Sequence, residues 1–506
     1  MIYSFSPFGY DGTIVTVETD LRRGIPATDI VGMSDGTVKE TRERIQAAIK
    51  NCGFEYPPER VLISLSPADL KKEGSGFDLP IALSILEQAK KEEFDTYNDL
   101  PVLVMGELEL SGHIRNVKGV YSALQTAIIS NIKYAIIPKN AEQEPDGILC
   151  FRVDSLEDAF YALKNLYEGK AEELFESKKS TPAVDAGIEF EDFDFKDNFD
   201  NLKTDGLKYA MAVAVAGRHN LITWGNPGCG KTMTLQNLPL IMPKLMSDEA
   251  ISTRRIWSLA GLTKPSKNIE IRPFRIPHQT ASIEGICGGG PNCRPGEISL
   301  AHNGILFLDE AAEFRSSVIQ MLRVPIENHN ITLCRAGRST VYPARFQLFM
   351  TTNPCPCGNY GSKEKICLCS VKSIDLYWKK FGAPLLDRIG IRYDFNADNT
   401  AFPKYTLEEI RHHIKLAWER QFARQGKLNN DLSPEEINQY ILLTKNAQYV
   451  LDKAGDKYGY SPRAVVQIMK IAQTLNDMHE TPSEQITELE IKMAIELHRP
   501  TPFMDI

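Results

Sequence analysis

Gly225-Asn-Pro-Gly-Cys-Gly-Lys-Thr232 fits the pattern G-x-x-x-x-G-K-[ST] in full, and its flanks matter as much as the pattern. Leu221-Ile-Thr-Trp224 before it is a short apolar run of the kind that forms a buried strand, and the residues after it can start a helix. Glycines let the backbone of Gly225, Asn226, Pro227, Gly228, Cys229 and Gly230 wrap a phosphate at the positive end of that helix. Lys231 then reaches the β- and γ-phosphates of ATP, and the Thr232 hydroxyl ligates Mg²⁺.

About 80 residues on, Gly304-Ile-Leu-Phe-Leu-Asp-Glu310 reads as a buried strand that delivers two carboxylates at its C-terminal end, where ligands sit in such sheets. Asp309 is expected to orient the magnesium and Glu310 to polarise the attacking water. A third apolar strand, Phe346-Gln-Leu-Phe-Met-Thr-Thr-Asn353, ends in an amide suited to hold that water or the γ-phosphate. Arg388, in Pro-Leu-Leu-Asp-Arg-Ile, is a candidate arginine finger for a neighbouring subunit's γ-phosphate. Arg463 follows Ser461-Pro462 in the first turn of a helix, where a cation faces the wrong end of the dipole unless a phosphate is near. A surface salt bridge is the competing reading for both arginines.

Around this core the chain divides by composition. Residues 1–167 alternate short β-rich runs (Thr13 to Val17, Val61 to Ser64, Val102 to Met105, Tyr134 to Pro138) with helical patterns, an α/β domain. Residues 168–200 are acidic and include EFEDFDF, which suits a solvated linker. Residues 201–400 carry the nucleotide motifs with a cysteine-rich insertion at 354–370, and 401–506 read as a helical lid. In the lid Thr406 with Glu409, Ser433 with Glu436 and Thr487 with Glu490 fit capping boxes. The 506 residues imply more than one core. The N-terminus shows no basic leader and apolar run, and no stretch reaches membrane-spanning length, so a cytoplasmic protein without membrane contact is expected. A net charge of −8 argues against indiscriminate coating of nucleic acid, yet it is compatible with a few basic loops in a pore.

Six of the ten cysteines are scattered singly. Cys355-Pro-Cys357 and Cys367-Leu-Cys369 make two close pairs, and four thiolates can close a structural, tetrahedral Zn²⁺ site; free thiols are the competing reading. Ile331-Thr-Leu-Cys-Arg-Ala-Gly-Arg-Ser-Thr-Val341 reads as a hairpin whose Arg335 and Arg338 would contact DNA phosphates, against a plain solvated turn. The loop from Gly285 to Arg294, with Gly288-Gly-Gly290 making it mobile, is a second candidate.

Four further stretches carry a family resemblance: Arg272-Pro-Phe-Arg-Ile-Pro-His278, Arg294-Pro-Gly-Glu-Ile-Ser-Leu-Ala-His-Asn-Gly304, Asn353-Pro-Cys-Pro-Cys-Gly358 and Pro384-Leu-Leu-Asp-Arg-Ile389. Over nearly its whole length the chain resembles the magnesium-chelatase-like AAA+ proteins called ComM or YifB. That resemblance implies an AAA+ P-loop NTPase core, with Asn353 as sensor 1, Arg388 as arginine finger and Arg463 as sensor 2. It also implies a homohexamer and, for ComM-type members, an ATP-driven motor on single-stranded or branched DNA that works with recombination proteins. The family's usual paired histidine is His278-Gln279 here, and its usual Gly-Gln is Lys203-Thr204. The N-terminal domain resembles the Lon protease domain at Lys72-Glu-Gly-Ser-Gly-Phe-Asp-Leu-Pro80 and Gly106-Glu-Leu-Glu-Leu-Ser-Gly112. The protease's lysine aligns with Tyr121, and Ser75 without a base is a poor nucleophile; Lys118 is three residues away. A non-proteolytic module is therefore expected. Competing functions are a chelatase-type motor that remodels a protein partner, an ATP-dependent protease, and a scaffold that binds ATP without turnover.

Overall fold

Leu221–Trp224, Ile305–Leu308 and Gln347–Thr352 are buried along their whole length. Strands without a polar face belong in a parallel sheet covered on both sides. The computed structural model places them in a five-stranded sheet ordered Phe274–Arg275, Ile305–Leu308, Gln347–Thr352, Leu221–Trp224, Ile391–Asp394, with all neighbours parallel. It describes residues 1–32, 35–67, 72, 75–93, 100–142, 144–170, 187–194, 199–262, 270–335, 338–362, 365–397 and 402–500. The fold is α/β, an AAA+ P-loop core with a helical C-terminal region. The phosphate loop, Asp309 and Asn353 all leave the C-terminal edge of the sheet.

The N-terminal region forms a second, seven-stranded sheet ordered Ala27–Val31, Arg60–Ser66, Thr13–Arg22, Ile2–Ser6, Val102–Val104, Tyr134–Pro138, Leu149–Val153. Thr13–Arg22 runs antiparallel to both its neighbours, and the other pairs are parallel. Helices Asp35–Asn51, Asp78–Ala89 and Leu156–Tyr167 bury their apolar faces against it. Helix Val120–Ile129 instead shares one buried cluster with the nucleotide core, which runs from Val120 and Leu124 through Ile256 and Leu259 to Trp224. Arg255 bolts this seam: it donates to the Tyr10 carbonyl at 3.1 Å and to the Asp11 carbonyl and Thr126 Oγ1 at 3.0 Å, with its guanidinium 4.6 Å from the Tyr10 ring centre.

The acidic stretch differs from the solvated linker its composition suggests. Phe190 and Phe193 pack against the core–lid cluster and Phe199 is fully buried. Arg411, on lid helix Leu407–Gln425, donates to Asp192 Oδ1 at 2.9 Å and to the Glu191 carbonyl at 2.8 Å. Alternating acid and aromatic residues put the rings inward and the carboxylates outward, which makes 187–194 a strap; residues 171–186 and 195–198 lie outside the described ones. In the lid all three expected capping boxes form, at Thr406, Ser433 and Thr487.

Buried histidines tie lid and core. His219 Nε2 lies 2.8 Å from Thr474 Oγ1, and His498 Nδ1 lies 2.6 Å from the Gly390 carbonyl. His302 Nδ1 accepts the Arg345 N–H at 3.0 Å. Burial pushes all three down to about 3, so they stay neutral in the folded protein while the unfolded chain takes up protons below about pH 6.5. Their contribution to stability is complete above that pH and is lost as pH falls toward 3. Asp78, raised to about 7 by burial despite Arg44, and Asp394, raised by burial, work in the opposite sense, while His329, also pushed down by burial, adds to the three histidines. Between pH 7 and 5.5 we expect a net loss of stability, read as a lower urea midpoint; a midpoint that rises over this interval refutes the assignment.

Candidate nucleotide site

The phosphate loop needs its glycines at two positions, Gly228 at φ 80° and Gly230 at φ 96°, where a side chain is strained. Beyond them the helix Lys231–Leu235 begins. Lys231 is buried, and its ammonium donates to the carbonyls of Gly225 (2.7 Å) and Asn226 (3.0 Å). Thr204 Oγ1 lies 2.8 Å from Thr234 Oγ1, so the Lys203-Thr204 segment rests against this helix.

One carboxylate oxygen organises the floor. Asp309 Oδ1 accepts from Thr232 Oγ1 at 2.7 Å and from Thr351 Oγ1 at 2.6 Å. These hard oxygens beside a buried ammonium fit a Mg²⁺ ion that keeps waters and phosphate oxygens as its other ligands. Glu310 adopts the left-handed region at φ 50°, a strained conformation for a non-glycine residue. The Thr351 hydroxyl accepts its N–H at 2.9 Å. Gln279 Nε2 donates to Glu310 Oε2 at 2.8 Å. Asn353 follows Thr352 at the same edge of the sheet.

Arg388 stands at the other edge. Its carbonyl accepts from Asn220 Nδ2 at 3.2 Å, before the strand that feeds the phosphate loop rather than after it. Its guanidinium meets Glu327 Oε2 at 2.5 Å, and Arg463 meets the other oxygen of the same carboxylate at 3.3 Å. The Arg388 hydrogen bond, then the charges of Arg388 and Arg463, hold the Glu327 carboxyl below its ordinary value. The structure thus brings the two arginines together, away from Lys231 and Glu310.

The four clustered cysteines converge. Cys355 Sγ lies 3.4 Å from Cys357 Sγ and 3.7 Å from Cys367 Sγ, with Cys357 to Cys367 at 3.6 Å. All four sulfurs, Cys369 included, fall within 4.8 Å of one another. Zn–S bonds of about 2.3 Å in a tetrahedron set sulfurs about 3.8 Å apart, so the set fits zinc. Without a cation the thiols divide: Cys357 is pushed down to about 6, first by the backbone N–H of Asn359, while burial pushes Cys367 up to about 12, so the fit to zinc rests on the sulfur geometry.

Asn330–Arg335 and Arg338–Pro343 form the expected antiparallel hairpin, with Arg335 opposite Arg338. Arg335 is exposed and 3.9 Å from Glu284; the tip at 336–337 and the Arg338 side chain lie outside the described residues. The N-terminal domain grips the hairpin at mid-strand, where Tyr10 N–H donates to Thr340 Oγ1 at 3.1 Å. The glycine loop expected to be mobile is instead a short helix, Ile283–Cys287, and a ribbon in which Gly288–Gly289 pairs with Arg294–Pro295. Gly296 allows it, because a Cβ there would stand 2.2 Å from the Gly288 nitrogen.

In the N-terminal region Tyr121 is buried, with the Arg254 guanidinium 5.1 Å from its ring centre. The Lys118 stem packs on Gly261 of the nucleotide core, where a Cβ would come within 2.7 Å of Lys118 Cε. The Ser75 side chain lies outside the described ones. Thr351, Glu327 and Asn396 act across the fold and carry no motif of their own in the sequence. Gln279 was visible only as a departure from a family pattern. Among the described residues no helix is long and apolar enough to cross a membrane.

Three family models match: magnesium chelatase, subunit ChlI, over residues 199–401; subunit ChlI of Mg-chelatase over 17–141; and the ChlI C-terminal region over 405–498. The chain is 35% identical to the protein YifB of Escherichia coli, covering 98% of this chain and 96% of that one. It is 34% identical to the competence protein ComM of Haemophilus influenzae, covering 94% and 93%. A Mycobacterium tuberculosis protein is 31% identical over 96% of both chains. The chain belongs to the magnesium-chelatase-like AAA+ family that includes YifB and ComM.

Proposed function

We propose that the chain hydrolyses ATP with Mg²⁺ and works as a homohexameric ring motor on DNA, a helicase or branch-migration activity serving recombination or natural transformation. The observation that carries the ATPase is Asp309 Oδ1, shared by Thr232 and Thr351 next to Glu310. In this reading Thr232 and Asp309 hold the magnesium, Lys231 takes the β- and γ-phosphates, and Glu310 accepts a proton from the attacking water. Asn353 positions that water, while Arg388 and Arg463 reach a neighbour's γ-phosphate. Structural zinc on Cys355, Cys357, Cys367 and Cys369 braces the site. Support for DNA as the track comes from the Arg335 and Arg338 hairpin and from the 34% identity to a protein named for competence.

The test is ATPase rate with no DNA, single-stranded DNA, duplex and a forked junction across a salt series. We expect stimulation by single-stranded or forked DNA that fades with salt and is lost in Arg335→Ala/Arg338→Ala. A rate indifferent to every DNA rejects the DNA motor. The chelatase-type alternative, remodelling of a protein partner, then follows from the matched family models.

A further inference from the structure

The cysteine cluster and the phosphate loop touch. Gly358, next to Cys357, has φ 77° and sits so tightly that a Cβ would come 2.7 Å from Pro227 Cγ in the phosphate loop and 3.9 Å from Asn353 Cγ. A second link runs through Asn396. Its Nδ2 donates to Asn226 Oδ1 at 3.1 Å and to the Tyr360 carbonyl at 3.4 Å, and its Oδ1 accepts the Asn226 N–H at 3.3 Å. Tyr360 N–H in turn donates to Cys355 Sγ at 3.4 Å. From sulfur to phosphate loop the path is therefore Cys355, Tyr360, Asn396, Asn226 on one side and Cys357, Gly358, Pro227 on the other.

The two halves of the insertion differ in what holds them. Its first half is anchored by buried Cys355 and by the Pro354 carbonyl, which accepts from Trp378 Nε1 at 3.0 Å. Its second half is held more lightly: Ile366 and Leu368 are 83% and 89% exposed, while Cys367 and Cys369 between them are half-buried against the core. Among the described residues of this segment it is the sulfurs of Cys367 and Cys369 that face Cys355 and Cys357. A tetrahedral cation on four thiolates closes such a loop, displacing their protons as it binds.

We infer that a zinc-class cation on Cys355, Cys357, Cys367 and Cys369 sets the shape of the phosphate loop through Gly358 and Asn396, so that its occupancy controls nucleotide affinity. The inference rests on the nucleotide-site reading proposed above. Without the cation Gly358 is free to leave Pro227, and Tyr360 to leave Asn396. The phosphate loop then loses two of its lateral supports. The cation takes no part in chemistry on the phosphate.

The full-length protein tests this by metal content and by titration with a fluorescent ATP analogue in Mg²⁺. One zinc per chain is expected. Stripping it with a chelator blind to Mg²⁺ should weaken analogue binding about tenfold, and added zinc should restore it. Cys357→Ser/Cys369→Ser should reproduce the loss, with circular dichroism showing the fold retained. Gly358→Ala separates the two links: it should keep its zinc yet bind the analogue more weakly. A protein that takes up no zinc, or a stripped protein that binds the analogue as the loaded one does, overturns the inference and leaves the nucleotide site standing. A zinc-loaded protein that binds no nucleotide overturns both.

Discussion

Arg388→Ala is expected to cut ATP turnover about a thousandfold while nucleotide binding stays close to that of the unaltered protein. The reason is position. Arg388 lies at the N-terminal edge of the sheet, where its carbonyl meets Asn220 ahead of Leu221–Trp224. The phosphate loop leaves the far end of that strand, about 13 Å along the sheet at 3.3 Å per residue. An arginine so placed does not serve its own Lys231. In the ring proposed above, that edge is expected to face the next subunit's nucleotide. Its partner Glu327 is half exposed but the Arg388 side chain is only 10% exposed, so the substitution also removes packing, and a thermal melt must show the fold retained before the loss is read as one of turnover. Mixing gives a sharper result than the single variant. Arg388→Ala supplies an intact phosphate loop and Lys231→Ala an intact finger, so the mixture should recover part of the turnover that each lacks alone. Turnover in Arg388→Ala equal to the original, or no recovery on mixing, rules out a finger acting between subunits. Because Arg463 shares Glu327, Arg463→Ala should behave in the same direction.

The parts legible in the sequence are those whose physics is local. The phosphate loop is written as glycines at the turn, the central strands as unbroken apolar runs, and the lid helices as a hydroxyl with a glutamate three residues later. Strand Ile2–Ser6 sits in the middle of its sheet, yet its five residues with three polar side chains give too weak a pattern to predict it. EFEDFDF suggests a solvated linker rather than the strap at 187–194, because only Arg411 and the lid give its rings a place to go. Glu327 and Asn396 carried no signal, since each matters through partners far off in the chain: Arg388 and Arg463 for the one, Asn226 and Tyr360 for the other. What sequence could supply was the inventory of charges and amides. Which edge of the sheet each would occupy followed only from the parallel order of five strands.

Glu310→Gln should bind ATP and fail to hydrolyse it, with turnover down by about 10³. The substitution keeps the shape of the site, which makes it informative. Glutamine tolerates the same left-handed backbone no worse than glutamate, and the Thr351 hydroxyl still accepts the residue's N–H. Gln279 donates to Oε2, and an amide oxygen at 310 can accept that bond as well. Lost is the ability to take a proton from water at Oε1. The expected signature is a protein that retains stoichiometric ATP through gel filtration while the unaltered chain releases ADP. Wild-type turnover in Glu310→Gln would mean that the base lies elsewhere. Retained affinity with no turnover would confine the defect to one proton, because Thr232, Asp309 and Lys231 would still be holding the substrate.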